Sequence, residues 1–252
     1  MIGILPAFGR VLGLIVGAPL LGQRGIPVQV KVGLALFITG LFVPIFTPAL
    51  TGFAPNLLQE ATLFAGELLI GLAIGFIARL TFAAVQIAGH MVEVPMGLAM
   101  ASVFDPAQGG QMPVFGQLYY VLVAQVFFLT DGHLGILRVL GESFRTIPAG
   151  QVVLSEQAAA TFFASFAWMF TAGVQVALPV AMAVLLTDAA LGVAMRVVPQ
   201  FNIFMIGFSV KIITGLLAAT ICIVALLEWA AGVFSGNGQF YQQLMGFIQG
   251  LR

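Results

Sequence analysis

Seven long apolar segments alternate along the chain with short stretches rich in glycine, proline and polar residues. They lie near Ile2–Leu21, Val32–Phe46, Leu57–Ala78, Leu80–Phe104, Val114–Thr130, Ala158–Thr187 and Ile203–Leu227. Several approach the roughly 20 residues that a helix needs to cross a bilayer. None shows the alternation of polar and apolar residues that is typical of a membrane β-strand. The pattern therefore predicts an all-α, polytopic helical membrane protein.

The third and fourth segments have no breaker between them. As one helix, Leu57–Phe104 would extend about 70 Å at 1.5 Å per residue, which is about twice the apolar thickness of a bilayer. Either the chain turns near Arg79–Thr81, or one long bent helix lies partly outside the lipid. The pattern leaves both alternatives open.

A shorter, amphipathic helix is predicted over Leu134–Thr146. Arg138, Glu142 and Arg145 follow one another at spacings of four and three, which places them on one face of a helix. Asp131 stands just before this stretch and is expected to be its N-cap.

The two ends of the chain are predicted to be helical. No basic region precedes the first apolar segment and no small-residue cleavage site follows it, so we expect a retained helix rather than a signal peptide. At the other end, residues 237–252 predict an amphipathic helix whose apolar stripe is formed by Phe240, Leu244, Phe247, Ile248 and Leu251. Its one cation, Arg252, is too little charge for electrostatic binding to lipid. We therefore expect this helix to dock on protein, beside a single helical domain over residues 1–236.

Composition strengthens the membrane assignment. Of the 252 residues, 61% are apolar and 7% are charged, with nine basic residues against nine acidic ones. A soluble domain is about 25% charged, so this chain has too little charge to cover a water-exposed surface. Disorder is excluded for the same reason. The net charge of zero leaves no basic surface for a nucleic acid.

No pattern of an enzyme or of a metal site is present in the sequence. Cys222 is the single cysteine, so an intrachain disulfide and a cysteine-based metal site are excluded. The chain has no Gly-x-Ser-x-Gly elbow, no His-Glu-x-x-His motif and no phosphate-binding glycine loop. We therefore expect no catalytic, cofactor-binding or metal-binding residue, and no cofactor.

Glycines recur at intervals of four in two of the segments. Gly9, Gly13 and Gly17 form one series, and Gly71 and Gly75 repeat the spacing. Small residues on one helix face let the backbones of two helices approach closely. The predicted packing face joins this chain either to another subunit or to another of its own helices.

A polar stripe is predicted in the third and fourth segments. Gln86, His90 and Glu93 follow at spacings of four and three, and Arg79 precedes Gln86 by seven residues. Glu67, which shares a face with Gly71 and Gly75, is interpreted in the same way. An ionisable residue at membrane depth is a functional candidate. Buried polar contacts between packed helices are favoured over a proton relay.

A loop interrupts the chain after the fourth segment. Two prolines and two glycines prevent a regular helix there, and flexible Met and Phe side chains flank it. The loop residues are Asp105, Pro106, Gly109, Gly110, Gln111, Met112 and Pro113, followed by Phe115. Such a loop either constricts a passage or connects two helices, and composition does not choose between these roles.

Together these motifs resemble the FliR family of flagellar export-gate proteins and its SctT relatives in injectisomes. The resemblance rests on Met96–Ala101 leading into Asp105–Gln111, on Asp131–His133, on Glu142–Arg145, and on Pro199–Phe204 followed by Gly207 and Lys211. Ala18–Leu20, Gly22 and Ile26–Pro27 also fit, and the matches keep the family's order. Ser209 departs from the pattern, because relatives often have proline there.

The resemblance implies bent helical hairpins that form part of a helical multi-subunit export gate. FliP-like and FliQ-like subunits would be the partners in a hetero-oligomer that passes unfolded protein substrates, with FlhB-like and FlhA-like proteins nearby in the apparatus. The implied location is the bacterial inner membrane, in the flagellar basal body or injectisome base, protruding to the periplasmic side. The family loop that corresponds to Asp105–Phe115 contributes to a pore plug, and residues 1–236 would be the export-gate domain. Seven membrane spans would then be an overestimate.

Two function classes are carried forward. The first is a non-enzymatic export-gate subunit, with the flagellar system preferred. The alternative is a small proton-coupled secondary transporter, which the Gln86, His90 and Glu93 stripe and the proline-interrupted helices would suit. An intramembrane enzyme is third.

Overall fold

The computed structural model describes residues 4–23, 25–46, 57–98, 113–148, 155–197 and 203–251. These residues form eight helices and no strand. The helices are α1 (Ile4–Gly17), α2 (Val28–Phe46), α3 (Leu57–Met96), α4 (Val114–Leu129), α5 (Gly132–Thr146), α6 (Glu156–Val197), α7 (Ile203–Phe234) and α8 (Gln239–Gly250). The predicted all-α class is confirmed.

Fewer helices can cross a membrane than the apolar segments suggest. Within the described part of the chain, 3 helical stretches are long and apolar enough, in α3, in α6 and from Ile206 onwards in α7. The pair α4 and α5 would add a fourth span, although it is bent by 66° at its break. Seven apolar segments thus give three or four candidate spans by length and composition, because α1 and the part of α2 from Val28 to Phe42 count as shorter apolar helices and the third and fourth segments merge.

The merged segments form α3, a continuous helix of 40 residues. No turn occurs at Arg79–Thr81, so the long-helix alternative is the right one. At 1.5 Å per residue α3 extends about 60 Å. It ends at Gly97, whose φ of 81° is in the left-handed region and whose N–H donates to the Val94 carbonyl over 3.0 Å. Glycine adopts this conformation without strain at the end of a helix.

The bend between α4 and α5 occurs at Asp131. This residue has φ 56° and ψ 27°, and its side chain makes no capping hydrogen bond. Asp131 is thus the N-cap residue of α5 as expected, but its side chain does not supply the capping hydrogen bond. A capping residue normally has extended backbone, which lets its side chain reach the first free N–H groups of the helix, whereas the left-handed backbone of Asp131 turns the chain instead.

The chain divides into two compact units. Unit 1 comprises Met1–Thr81, Phe127–Ala167 and Gly232–Arg252, and unit 2 comprises Phe82–Val126 and Trp168–Ala231. In unit 1, α1 packs on α2, α2 on α5, and α5 on α8. Unit 2 contains most of α4, α6 and α7 and the second part of α3.

Helix α8 packs within unit 1 through its apolar stripe. The residues expected on that stripe, Phe240, Leu244, Phe247, Ile248 and Leu251, are all buried. The Phe240 ring lies 5.2 Å from Phe234 and 6.0 Å from Phe127, and the Phe247 ring lies 6.3 Å from Phe162. Apolar periodicity alone therefore located both the helix and its buried face.

Candidate functional site

Among the described residues of unit 1, the most deeply buried charges are an arginine on α1 and a glutamate on α3. Arg10 is 0% exposed and Glu67 is 1% exposed, and Arg10 Nε donates to Glu67 Oε2 over 2.5 Å. The guanidinium also donates from Nη1 to the Ser143 carbonyl oxygen over 2.7 Å and from Nη2 to that of Ile147 over 3.1 Å. It lies 4.4 Å above the ring of Phe144. The pair thus joins α1, α3 and the end of α5.

Glycine allows the two helices that carry this pair to approach closely. A Cβ atom on Gly13 would overlap the carbonyl oxygen of Leu68, and one on Gly71 would overlap that of Arg10. Gly9 faces Phe64, and Gly17 meets Gly75 and the Leu72 carbonyl. The predicted packing glycines therefore lie on one seam between α1 and α3. This face of α1 is covered by a helix of the same chain, which is the intrachain alternative.

Arg10 was not identified from the sequence as a site residue, although a signal was present. It is the single charged residue between the first two glycines of the α1 series, and an ionisable residue in an apolar helix requires a partner. Glu67 stands four residues before Gly71 on the other helix. The glycine pattern indicated a close contact, but spacing within each helix does not show which residues of two distant segments face each other.

The predicted polar stripe is not one buried feature of this chain. Glu67 and Glu93 are buried, Gln86 is partly buried, and Arg79 and His90 are exposed. Glu67 lies 12 positions before Arg79, which at 100° per residue turns it about 120° away on the helix. Helices of the same chain cover Glu67 and Glu93 but not Arg79 and His90, so a buried stripe stays a prediction at these two positions.

Glu93 has a different environment, in unit 2. Its side chain is 5% exposed, and Oε1 accepts a hydrogen bond from the backbone N–H of Val114 over 3.3 Å. Val114 is the first residue of α4, where the N–H groups have no partner within the helix. The second oxygen, Oε2, is buried and has no hydrogen-bond partner in the described residues. Glu93 thus holds the start of α4 against the last turns of α3.

A second close helix contact lies beside Glu93. A Cβ atom on Gly89 of α3 would overlap the backbone nitrogen of Gly116 on α4. Neither glycine was singled out in the sequence, because no second glycine stands four residues from either. This contact brings together the end of α3 and the start of α4. In the sequence, residues 97–113 connect these two helices.

Most of the predicted loop lies outside the described residues, including Asp105, Pro106, Gly109, Gly110, Gln111 and Met112. Pro113 precedes α4 directly. Phe115 belongs to the first turn of α4, is 4% exposed, and has its ring 6.0 Å from that of Tyr119. Phe115 is therefore a packed helix residue and not part of a loop, since the helix begins at once after Pro113.

One more ion pair lies in unit 2, and no candidate metal site accompanies it. Lys211 Nζ on α7 pairs with Asp188 Oδ1 on α6, and the hydroxyls of Thr187 and Thr214 lie 3.3 Å apart beside it. Within the described part of the chain, no group of three His, Cys, Asp or Glu side chains converges as metal ligands would.

Comparison with known proteins gives consistent matches. Residues 1–236 match the model of a family described as bacterial export proteins, family 1. The flagellar biosynthetic protein FliR of Escherichia coli (strain K12) is 35% identical over 222 residues, which are 86% of this chain and 83% of that protein. FliR of Bacillus subtilis (strain 168) is 31% identical over 98% of both chains. The secretion system apparatus protein SsaT of Salmonella typhimurium is 28% identical over 88% of this chain and 86% of its own.

Proposed function

The chain belongs to family 1 of the bacterial export proteins, and we propose that it is a non-enzymatic subunit of the type III export gate. The observation that carries this proposal is the match to both flagellar and secretion-system proteins over more than 80% of each chain. A role that flagella and a secretion apparatus share is protein export across the inner membrane. The partners proposed are FliP-like and FliQ-like subunits, which would form with this chain a gated channel for unfolded proteins.

The exposed faces of α6 and α7 support a membrane location with further subunits. Ile221, Leu186 and Leu217 are 78%, 65% and 60% exposed on this chain. In the most apolar windows of α6 and of the stretch from Ile206, only 17% of residues are buried, against 61% in α3. Apolar surface of this extent requires lipid or protein to cover it. We propose that membrane lipid and the partner subunits share it.

The gate is proposed to be the loop of residues 105–113, which lies in the sequence between Gly97 at the end of α3 and Val114 at the start of α4. Glu93 binds the first N–H of α4, and Gly89 places the backbones of α3 and α4 in contact. These contacts support a loop that is anchored where it leaves α3 and where it enters α4. A loop anchored in this way can close or open a passage while the two helices stay in place.

Extraction in mild detergent tests the assignment to the gate. We expect the chain to co-purify with FliP-like and FliQ-like proteins. A secondary transporter would instead be recovered alone or as a homo-oligomer, and that result would remove the proposal.

Deletion of Gly109–Pro113 tests the plug. If the loop closes the pore by excluding water from a narrow apolar passage, membranes that carry the assembled deletion variant will conduct ions. Phe115→Ala is a useful contrast, because Phe115 is buried in α4: we expect it to lower stability and complex yield without a specific leak. An assembled deletion variant that stays tight to ions would contradict the plug assignment.

A further inference from the structure

A cavity of about 110 Å³ lies in unit 2 between α4, α6 and α7, and it opens on the surface of the chain beside Gln175 and Pro179, which are exposed. Tyr119 of α4, Gln175 and Pro179 of α6, and Cys222 and Trp229 of α7 are among its lining residues. None of the residues that line it carries a formal charge. Its volume is far above the about 10–15 Å³ that one water molecule needs.

One wall of the cavity is a break in the hydrogen bonding of α6. Pro179 lies inside this helix of 42 residues. Because proline has no N–H, it cannot donate to the carbonyl of the residue four positions earlier. That residue is Gln175, which lines the same cavity. The Gln175 carbonyl oxygen therefore lacks its usual donor within α6 and can accept a hydrogen bond from another group.

The cavity is also lined by a tyrosine of α4 whose side chain is buried. Tyr119 is 3% exposed. Its ring packs edge-on against Phe115, and no hydrogen bond joins its hydroxyl to any residue that the structure describes. A buried tyrosine hydroxyl normally finds a partner. The lining residues thus include a hydroxyl donor on α4 and, at Gln175 of α6, a residue whose backbone carbonyl lacks its regular helical donor.

We propose that this cavity binds water, which bridges the Tyr119 hydroxyl and the Gln175 carbonyl. Cavities that are lined only by apolar groups stay dry, whereas a site with two or more polar partners retains ordered water. Ions are disfavoured because no charged side chain lines the site. Hydrocarbon is disfavoured because an acyl chain would leave both polar groups unpaired.

Bound water gives α6 a point at which it can bend. In apolar surroundings a proline break is tolerated when water or a neighbouring helix satisfies the freed backbone group. Exchangeable water replaces a fixed bond here, so the segments of α6 before and after Pro179 are less tightly coupled than in a regular helix. Through the water bridged to the Tyr119 hydroxyl, a bend in α6 would change the contact between α6 and α4.

Cys222, the single cysteine of the chain, reports on the contents of the cavity. The experiment uses the assembled complex in lipid nanodiscs, treated with iodoacetamide, which is small and polar, or with a lipophilic maleimide. Mass spectrometry of the Cys222 peptide gives each rate of alkylation. We expect iodoacetamide to modify Cys222 in the folded complex. Tyr119→Phe and Pro179→Ala should each slow this reaction on the order of fivefold, since each removes one polar partner of the water.

Tyr120→Phe is the matched control, because Tyr120 is the next residue of α4 and its ring packs on Phe82. Its rate with iodoacetamide should equal that of the unchanged chain. Modification by the maleimide alone would show a cavity filled by hydrocarbon and would overturn the proposal. So would a Cys222 that reacts with neither reagent until the complex is denatured, because a partner side chain would then fill the site. Equal slowing by Tyr119→Phe and Tyr120→Phe would also overturn it.

Discussion

Two glutamates on α3, one in each unit, are buried to nearly the same extent but have different partners. Glu67 is 1% exposed and pairs with Arg10, whose remaining donors reach the carbonyls of Ser143 and Ile147. Glu93 is 5% exposed, accepts one bond from the N–H of Val114, and has one oxygen without a partner in the described residues. Each lies beside a glycine contact between two helices.

This difference in partners means that the helix contact at Glu67 is fixed, whereas the helix contact at Glu93 can be rearranged. Breaking a fully paired buried ion pair leaves an uncompensated charge. Any arrangement of α1 and α3 that separates Arg10 from Glu67 therefore has a high free energy. Glu93 binds only a neutral backbone group, and the contact it makes is weaker. We infer that unit 1 uses its glutamate to lock helices together, and that unit 2 uses its own to position the start of α4 beside the proposed gate.

The largest effect is expected from breaking the locked pair. Glu67→Ala leaves the Arg10 guanidinium buried without its counter-ion, which typically costs about 3–5 kcal/mol. We expect loss of the folded chain or a large fall in the melting temperature, measured by circular dichroism in mild detergent, together with loss of complex yield.

The double variant Arg10→Met with Glu67→Met is the control for this loss. Replacing a buried pair with apolar side chains of similar volume is often close to neutral, so it should recover much of the stability. A double variant as unstable as Glu67→Ala would mean that the site needs the hydrogen bonds to Ser143 and Ile147 rather than charge neutrality.

The glycine seam beside the pair should give the next largest effect. Gly71→Ala puts a methyl group into the Arg10 carbonyl of α1, and overpacking of this kind costs about 2–3 kcal/mol. Gly66→Ala is the matched control on the same helix, because no neighbouring atom lies within 4 Å of a Cβ there. It should be neutral or slightly stabilising, since alanine favours helix.

The comparison fails if these two alanine variants unfold at the same temperature. Equal melting temperatures would show that α1 and α3 accommodate the added methyl group without cost, so that the Arg10–Glu67 pair rather than the close backbone contact holds the two helices together. A lower melting temperature for Gly71→Ala alone would show that unit 1 needs the close approach of the two backbones as well as the ion pair.

The sequence predicted features that depend on local periodicity. The apolar stripe of α8 and the amphipathic face of α5 follow from residues within one or two turns, and both helices occur where expected. The continuity of α3 was one of two alternatives, because the absence of a breaker near Arg79 permits a helix but does not require one.

Features that depend on pairing between distant segments were not predicted. Arg10 and Glu67 belong to different apolar segments, and the pattern of neither segment predicts that the two residues are in contact. Exposure has the same limit: Arg79 and His90 share a spacing with Glu93, but only the packing of neighbouring helices decides which of them is covered. The candidate gate loop falls mainly on residues 99–112, so its plug role stays a prediction.

Glu93 should give a moderate effect that depends on the substitution. Glu93→Ala removes the acceptor for the Val114 N–H and is expected to cost about 1–2 kcal/mol. Glu93→Gln keeps a carbonyl oxygen at this place and should be largely tolerated. Melting temperature, complex yield and secretion of a substrate protein measure the two variants. Loss of export in Glu93→Gln with assembly intact would instead show a role for protonation of this carboxylate.

The smallest effect is expected at a third glutamate, Glu142, which tests whether pairing alone explains the difference between Glu67 and Glu93. Glu142 Oε2 lies 3.7 Å from Arg145 Nη1, one turn apart on α5, and their side chains are 42% and 69% exposed. Water already solvates both charges, so Glu142→Gln should change the free energy of unfolding by less than about 0.5 kcal/mol. Its neighbour Ser143 is buried and receives the Arg10 hydrogen bond, so this variant alters α5 on its exposed face and leaves the locked contact intact. A loss as large as that of Glu67→Ala would mean that charge on α5, rather than burial of the pair, holds unit 1 together.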